Sequence, residues 1–162
     1  MIDIDPTARV SPLADVEASV RGTKIVIGPR VVVDSFVKIK PAGGMGDVYV
    51  GEETHINAGT VIYTGHGVKI GKGVLIAANC TLAPTDHEFE RADVPIAAQK
   101  FKQSRGGIVI EDDVWIGANS VILDGAVIRK GAVVGAGSLV RAELAAYTVY
   151  AGNPLREIGR RR

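Results

Sequence analysis

The chain holds three histidines, and His87 is the one whose neighbours suit a general base. It follows Asp86 directly and is followed closely by Glu88 and Glu90. An imidazole near carboxylates can take a proton from a hydroxyl while its other nitrogen is held in the correct tautomer. His66, in Tyr63-Thr64-Gly65-His66-Gly67, reads as a solvated turn histidine. His55 stands just before an inward apolar position, so it points outward. The single Cys80 has no internal disulfide partner and reads as a small core residue.

The elements that must position His87 announce themselves through a period of six. Ile110, Ile116, Ile122, Ile128, Val134 and Val140 keep that beat, and it runs back through Ile70, Ile76, Leu82, then Val50, Ile56, Ile62, then Ile27, Val33, Ile39, then Ile4, Val10, Val16. Neither a helix nor a hairpin sheet has this period; it is the signature of a hexapeptide β-helix. The positions two earlier, among them Ile25, Val48, Thr54, Cys80, Ser120 and Ala132, are uncharged and none is aromatic. Residues i and i−2 of a strand point the same way, so both series face one interior. Three hexads make one coil of three short strands, and six triplets predict about six coils stacked into a prism on the order of 30 Å long. Its corners suit the 20 glycines. Such a prism is filled by side-chain columns rather than hollow, so function must lie on its outside.

Extra residues interrupt the beat after Val16, Ile39, Ile62 and Leu82, each time after whole triplets, so every excursion should leave at the same corner. The longest, about 83–107, contains His87, and long ordered loops on rigid frames usually carry function. In coil register, Val32, His55, Leu75, Trp115 and Val133 form one outward column. An apolar stripe of that size is best explained by burial between subunits.

One domain, 1–162, is expected at this length. With 19 basic and 18 acidic residues there is no general electrostatic case for nucleic acid or membrane binding. The acidic start Met-Ile-Asp-Ile-Asp-Pro lacks the apolar region of a signal peptide, and no segment approaches the length of a membrane span, so a cytoplasmic location is expected.

From Ile2 to Ile158 the chain resembles the left-handed β-helix acyltransferases built on hexapeptide repeats. The handedness is implied by the resemblance alone, since parallel crossovers are generally right-handed. The implied fold is an all-β left-handed parallel β-helix with one long excursion and a short C-terminal tail at about 143–162. Thr85-Asp86-His87, Asp93-Val94-Pro95-Ile96 and Ile110-Glu111-Asp112-Asp113-Val114-Trp115-Ile116-Gly117-Ala118-Asn119 look like bacterial sugar and polysaccharide O-acetyltransferases. That resemblance implies His87 as general base and acetyl-CoA as co-substrate. It further implies direct transfer to a sugar hydroxyl, as in lipopolysaccharide or exopolysaccharide biosynthesis, without a metal. It also implies a homotrimer with parallel prism axes and sites between subunits. Asn57, in His55-Ile56-Asn57-Ala58-Gly59, matches a position that binds the acceptor sugar in galactoside and maltose acetyltransferases; the plainer reading is a turn asparagine with left-handed backbone. Asp86 and Trp115 are the other acceptor-side candidates. Gly135-Ala136-Gly137-Ser138 and Tyr150-Ala151-Gly152-Asn153-Pro154-Leu155-Arg156 look like the end of hexapeptide acetyltransferases, where acetyl-CoA lies along the last coils. The cofactor contacts implied are Trp115, Ala118, Ala136, Gly137 and Arg156.

Three other readings stand beside this one. The first is an N-acetyltransferase acting on a nucleotide-linked amino sugar. The second is a γ-type carbonic anhydrase, which Thr60–Gly71 resembles. Its zinc site needs three histidines, and the matching positions here are Tyr63, Ala78 and Ala83, so the ligands fail. The third is a non-catalytic β-helix, because a fold alone does not establish chemistry.

Overall fold

The computed structural model describes all residues, 1–162. Its strands form three parallel sheets that are the faces of a prism. The first face stacks β1 (Ile2–Ile4), β4 (Ile25–Ile27), β7 (Val48–Val50), β10 (Val68–Ile70), β13 (Ile108–Ile110), β16 (Val127–Ile128) and β19 (Glu143–Leu144). The second stacks β2 (Arg9–Val10), β5 (Val32–Val33), β8 (His55–Ile56), β11 (Leu75–Ile76), β14 (Trp115–Ile116), β17 (Val133–Val134) and β20 (Thr148–Ala151). The third stacks β3 (Asp15–Val16), β6 (Lys38–Lys40), β9 (Val61–Tyr63), β12 (Thr81–Ala83), β15 (Val121–Leu123) and β18 (Leu139–Val140). The chain visits the faces in that order, one strand each, and then starts the next coil.

The inward series is the core. From Ile25 to Leu144 its apolar members form one cluster, none more than 4% exposed. Those in strands pair in register with their counterparts one coil away, as Ile76 does with Ile56 and Ile116. The first coil differs: Ile4 is 40% exposed, because it has a neighbour coil on one side only. Polar inward residues satisfy themselves on corner backbone. Thr54 Oγ1 donates to the Gly71 carbonyl at 2.8 Å, and Ser120 Oγ donates to that of Gly117 at 2.7 Å. Cys80 is 1% exposed, with Sγ 3.3 Å from the Gly117 carbonyl, and burial pushes its thiol pKa up. It is a core residue.

Two corners turn through left-handed backbone. Between the first and second faces the residue concerned is Arg30, Glu53, Gly73, Asp113, Gly131 or Tyr147 in successive coils. Between the second and third it is Phe36, Gly59, Asn79, Asn119 or Gly137. Glycine supplies fewer than half of these positions, so the corner geometry, held by the sheets on either side, overrides the local cost of the side chain.

The third corner, between the third and first faces, carries every insertion: those between β3 and β4, β6 and β7, β9 and β10, and β12 and β13. The C-terminal section is more regular than a tail. β19 and β20 begin a seventh coil, with Leu144 in register with Ile128 and Tyr150 with Val134. The six-residue beat misses this coil because the corner between Val140 and Leu144 is two residues short. β21 (Arg156–Arg160) then folds back antiparallel on β20, and Arg161 Nη1 donates to Asp113 Oδ2 at 2.8 Å and to the Gly131 carbonyl at 3.1 Å.

Candidate active site

Residues 84–107 form an arm rather than a slack loop. Its base is a short antiparallel pairing: Glu88 N–H donates to the Lys100 carbonyl at 3.0 Å and Lys102 N–H to that of Asp86 at 2.8 Å, setting His87 opposite Phe101. One helical turn, α1 (Ile96–Gln99), closes the tip. Gln99 pins it by donating Nε2 to the Arg91 and Val94 carbonyls at 2.8 and 2.7 Å. The Arg91 guanidinium beside Asp93 holds that carboxyl below its ordinary range.

His87 is exposed, and its ring lies 4.6 Å from that of Phe101 at 37°. The structure corrects one expectation. No hydrogen bond joins its imidazole to Asp86, Glu88 or Glu90 within the chain. Adjacent residues of an extended segment point to opposite sides, and Glu90 turns instead toward Lys102, 3.9 Å away. Packing on Phe101 orients the ring.

His87 and Asp86 line one groove of about 580 Å³, which also takes in Lys102, Arg105, Arg141 and Asp124. Three cations against two carboxylates give it a positive balance suited to anionic groups. The sequence reading did not identify Lys102, Arg105, Arg141 or Asp124 as site residues. For Arg141 a signal existed: it follows the inward Val140 directly, at the corner that carries the arm. Asp124 is the more consequential omission. Its side chain is 4% exposed, accepts the N–H groups of Arg105 and Gly107 at 2.7 and 2.9 Å, and lies 3.4 Å from Nδ1 of His66. His66 is therefore not a solvated turn residue: its side chain is 18% exposed and the Nδ1 atom is buried.

The remaining candidates gather elsewhere. Asn57, Ala118, Ala136 and Gly137 lie on the second corner, where Gly137 N–H donates to the Ala118 carbonyl at 2.8 Å. Asn57 does not have left-handed backbone; its Nδ2 donates to the Ile76 carbonyl at 2.8 Å, so the amide ties its corner to the next coil. Ala136 and Gly137 are exposed, and with no side chain beyond Cβ they let a ligand approach the corner backbone closely. Trp115 is 52% exposed on the second face, between Leu75 and Val133. His55 occupies the same outward column, next to Leu75. Arg156 is exposed at the start of β21. Thus the arm with His87 and the corner with Asn57, Ala118, Ala136 and Gly137 stand on opposite sides of the third face. No cluster of three His, Cys, Asp or Glu side chains suited to a metal ion is present, and no helix is long and apolar enough to cross a membrane.

Comparison with known proteins agrees with this architecture. Residues 107–142 match the bacterial transferase hexapeptide (six repeats) family, and residues 48–84 match the hexapeptide repeat of succinyl-transferase. A relative in Escherichia coli (strain K12), WbbJ, ascribed to lipopolysaccharide biosynthesis O-acetyl transfer, is 32% identical over 124 residues. That alignment takes in 72% of this chain and 62% of the relative, so the chain spans less than two thirds of its length. The hexapeptide-repeat containing acetyltransferase of Vibrio cholerae O1 biovar eltor, solved with acetyl coenzyme A, superposes with TM-score 0.72 at 30% identity, over 84% of this chain and 70% of that one. AntD, an N-acyltransferase from Bacillus cereus solved with dTDP and 3-hydroxybutyryl-CoA, superposes with TM-score 0.81 at 25% identity, over 99% and 83%. The prism is accordingly a left-handed parallel β-helix.

Proposed function

The chain belongs to the bacterial hexapeptide-repeat transferases, and from that premise we propose that it is an acetyl-CoA-dependent O-acetyltransferase acting on a sugar or polysaccharide precursor. The observation that carries this reading is His87: an exposed imidazole on a hydrogen-bonded arm, in a polar groove at the edge of a rigid prism. His87 takes the proton of the acceptor hydroxyl as that oxygen attacks the thioester carbonyl. A C–O bond forms, the C–S bond breaks, and the proton passes from the imidazole to the departing thiolate. A backbone N–H facing the carbonyl oxygen would stabilise the developing charge. Both substrates meet in one groove, so no covalent enzyme intermediate is required. Acetyl-CoA lies along the second corner, its pantetheine against Ala118, Ala136 and Gly137, with Trp115 and Arg156 at its margins. Asn57 and Asp86 face the acceptor.

This reading requires a second copy of the chain. The arm and the second corner are separated by a face of the same prism, and they meet when the arm of one subunit lies against the corner of the next. The outward column of Val32, Leu75, Trp115 and Val133 supplies the apolar surface for such packing, with Leu75 47% exposed in the single chain. Heterologous contacts of this kind close into a ring, here a trimer. Sedimentation at micromolar concentration is expected to show a trimer; a monomer alone would overturn the shared groove.

A second reading has a specific observation behind it. The cations Lys102, Arg105 and Arg141 in the His87 groove, with the likeness to AntD over nearly the whole chain, favour a nucleotide-linked amino sugar as acceptor and N-acylation as the reaction. Free thiol release from acetyl-CoA, followed with sugar hydroxyls and with free and nucleotide-linked amino sugars, separates the two. Turnover with hydroxyl acceptors supports O-acetyl transfer. Turnover confined to the amines supports the alternative.

A further inference from the structure

The arm that carries His87 interrupts one corner of the prism, and two side chains from the flanking coils meet across the interruption. His66 lies in the turn of the preceding coil, between β9 and β10, and Asp124 lies in the turn of the following coil, between β15 and β16. The His66 backbone N–H donates to the Pro84 carbonyl at 3.0 Å, where the arm departs. The Asp124 carboxylate accepts from Arg105 N–H at 2.7 Å and Gly107 N–H at 2.9 Å, where the arm returns, and Arg105 Nη2 donates to the Asp124 carbonyl at 2.6 Å. Behind both feet, Nδ1 of His66 stands 3.4 Å from Asp124 Oδ2, buried and without a hydrogen-bond partner.

Resting on the general-base reading of His87, we propose that Asp124 and His66 are positioning residues for that base. Asp124 ties the returning strand of the arm to the prism through two backbone N–H groups, and His66 closes the gap between that carboxylate and the departing strand. Neither side chain belongs to the arm or follows the inward beat, yet together they fix the frame on which His87 is presented. A base displaced by about 1 Å loses much of its effect while ligand binding elsewhere persists. Asparagine at 124 would keep one acceptor oxygen and turn an NH₂ group toward the other N–H donor, leaving the returning strand with one of its two bonds.

The test is a double-mutant cycle. Asp124→Asn, His87→Ala and the double variant are assayed by thiol release from acetyl-CoA with the best acceptor of the sugar panel, beside hydrogen exchange of residues 84–107 in the protein alone. The expected result is a kcat lowered roughly tenfold or more in D124N with the KM for acetyl-CoA within about twofold of its original value. D124N should then cost less than about twofold in the His87→Ala background. Arm amides should exchange faster in D124N while the prism strands keep their protection. Equal losses in both backgrounds, or unchanged arm exchange, would overturn the positioning role. His66→Ala, which leaves the backbone bonds in place, carries the same cycle if D124N does not assemble. Should His87→Ala turn over normally, or no acceptor react, the general-base reading falls and this role with it. A dead H87A with an additive D124N sinks the positioning role alone.

Discussion

Alanine at His87 is expected to lower acetyl transfer by roughly 10²- to 10⁴-fold, the range typical of a lost general base. The substitution is structurally mild. The imidazole is exposed, its contact within the chain is the Phe101 ring at 4.6 Å, and the arm is held by backbone bonds at Asp86, Glu88, Lys100 and Lys102 that alanine retains. Acetyl-CoA affinity should stay nearly unchanged, because the residues proposed to contact it lie on the second corner, at Trp115 and at Arg156. The loss should therefore fall on kcat, with KM for acetyl-CoA little altered. His66→Ala should cost less, since that residue is proposed to act only through the placement of the arm. If H87A proved active and the His66 variant dead, the base would have to be reassigned. Normal turnover by both would end histidine catalysis as an explanation.

The second large effect concerns the prism. Ile116 is 0% exposed, in register with Ile76 on one side and Val134 on the other. Aspartate there would place an unpaired carboxylate among stacked aliphatic side chains, with no donor within the column to receive it. Destabilisation of roughly 4 kcal/mol or more is expected, enough to prevent folding of a marginally stable domain. Val121 is the control. It stands one residue before an inward position on the third face, half-buried, in register with Thr81 and Leu139. Its aspartate variant should unfold at a denaturant midpoint close to the original unless a neighbouring subunit covers that face. Equal damage at both sites in a protein shown to be monomeric would mean that the assignment of inward positions is wrong.

The interior was legible in the sequence because a coil's neighbour in space is its own pattern repeated. A residue at one inward position meets the same class of residue in the coils on either side, so Ile56, Ile76, Ile116 and Val134 stack simply by keeping the beat. The same periodicity placed the excursions on one corner and Leu75 beside Trp115 on the outside. His87 was legible as the histidine of the longest interruption. Wherever the beat slipped or a side chain left the column, the sequence ceased to decide. A corner two residues short hid the seventh coil at Leu144 and Tyr150, which adds paired strands where a tail was expected. The carboxylates flanking His87 in sequence do not hold its ring, since neighbours in an extended segment diverge. Asn57 spends its amide on the Ile76 carbonyl, a partner fixed by the stacking of whole coils. Asp124 and His66 meet only because the arm between them vacates the corner that a regular turn would fill. Repetition makes core contacts a property of the local pattern, whereas contacts at an interruption depend on where the departing chain goes, and that is settled by the folded prism as a whole.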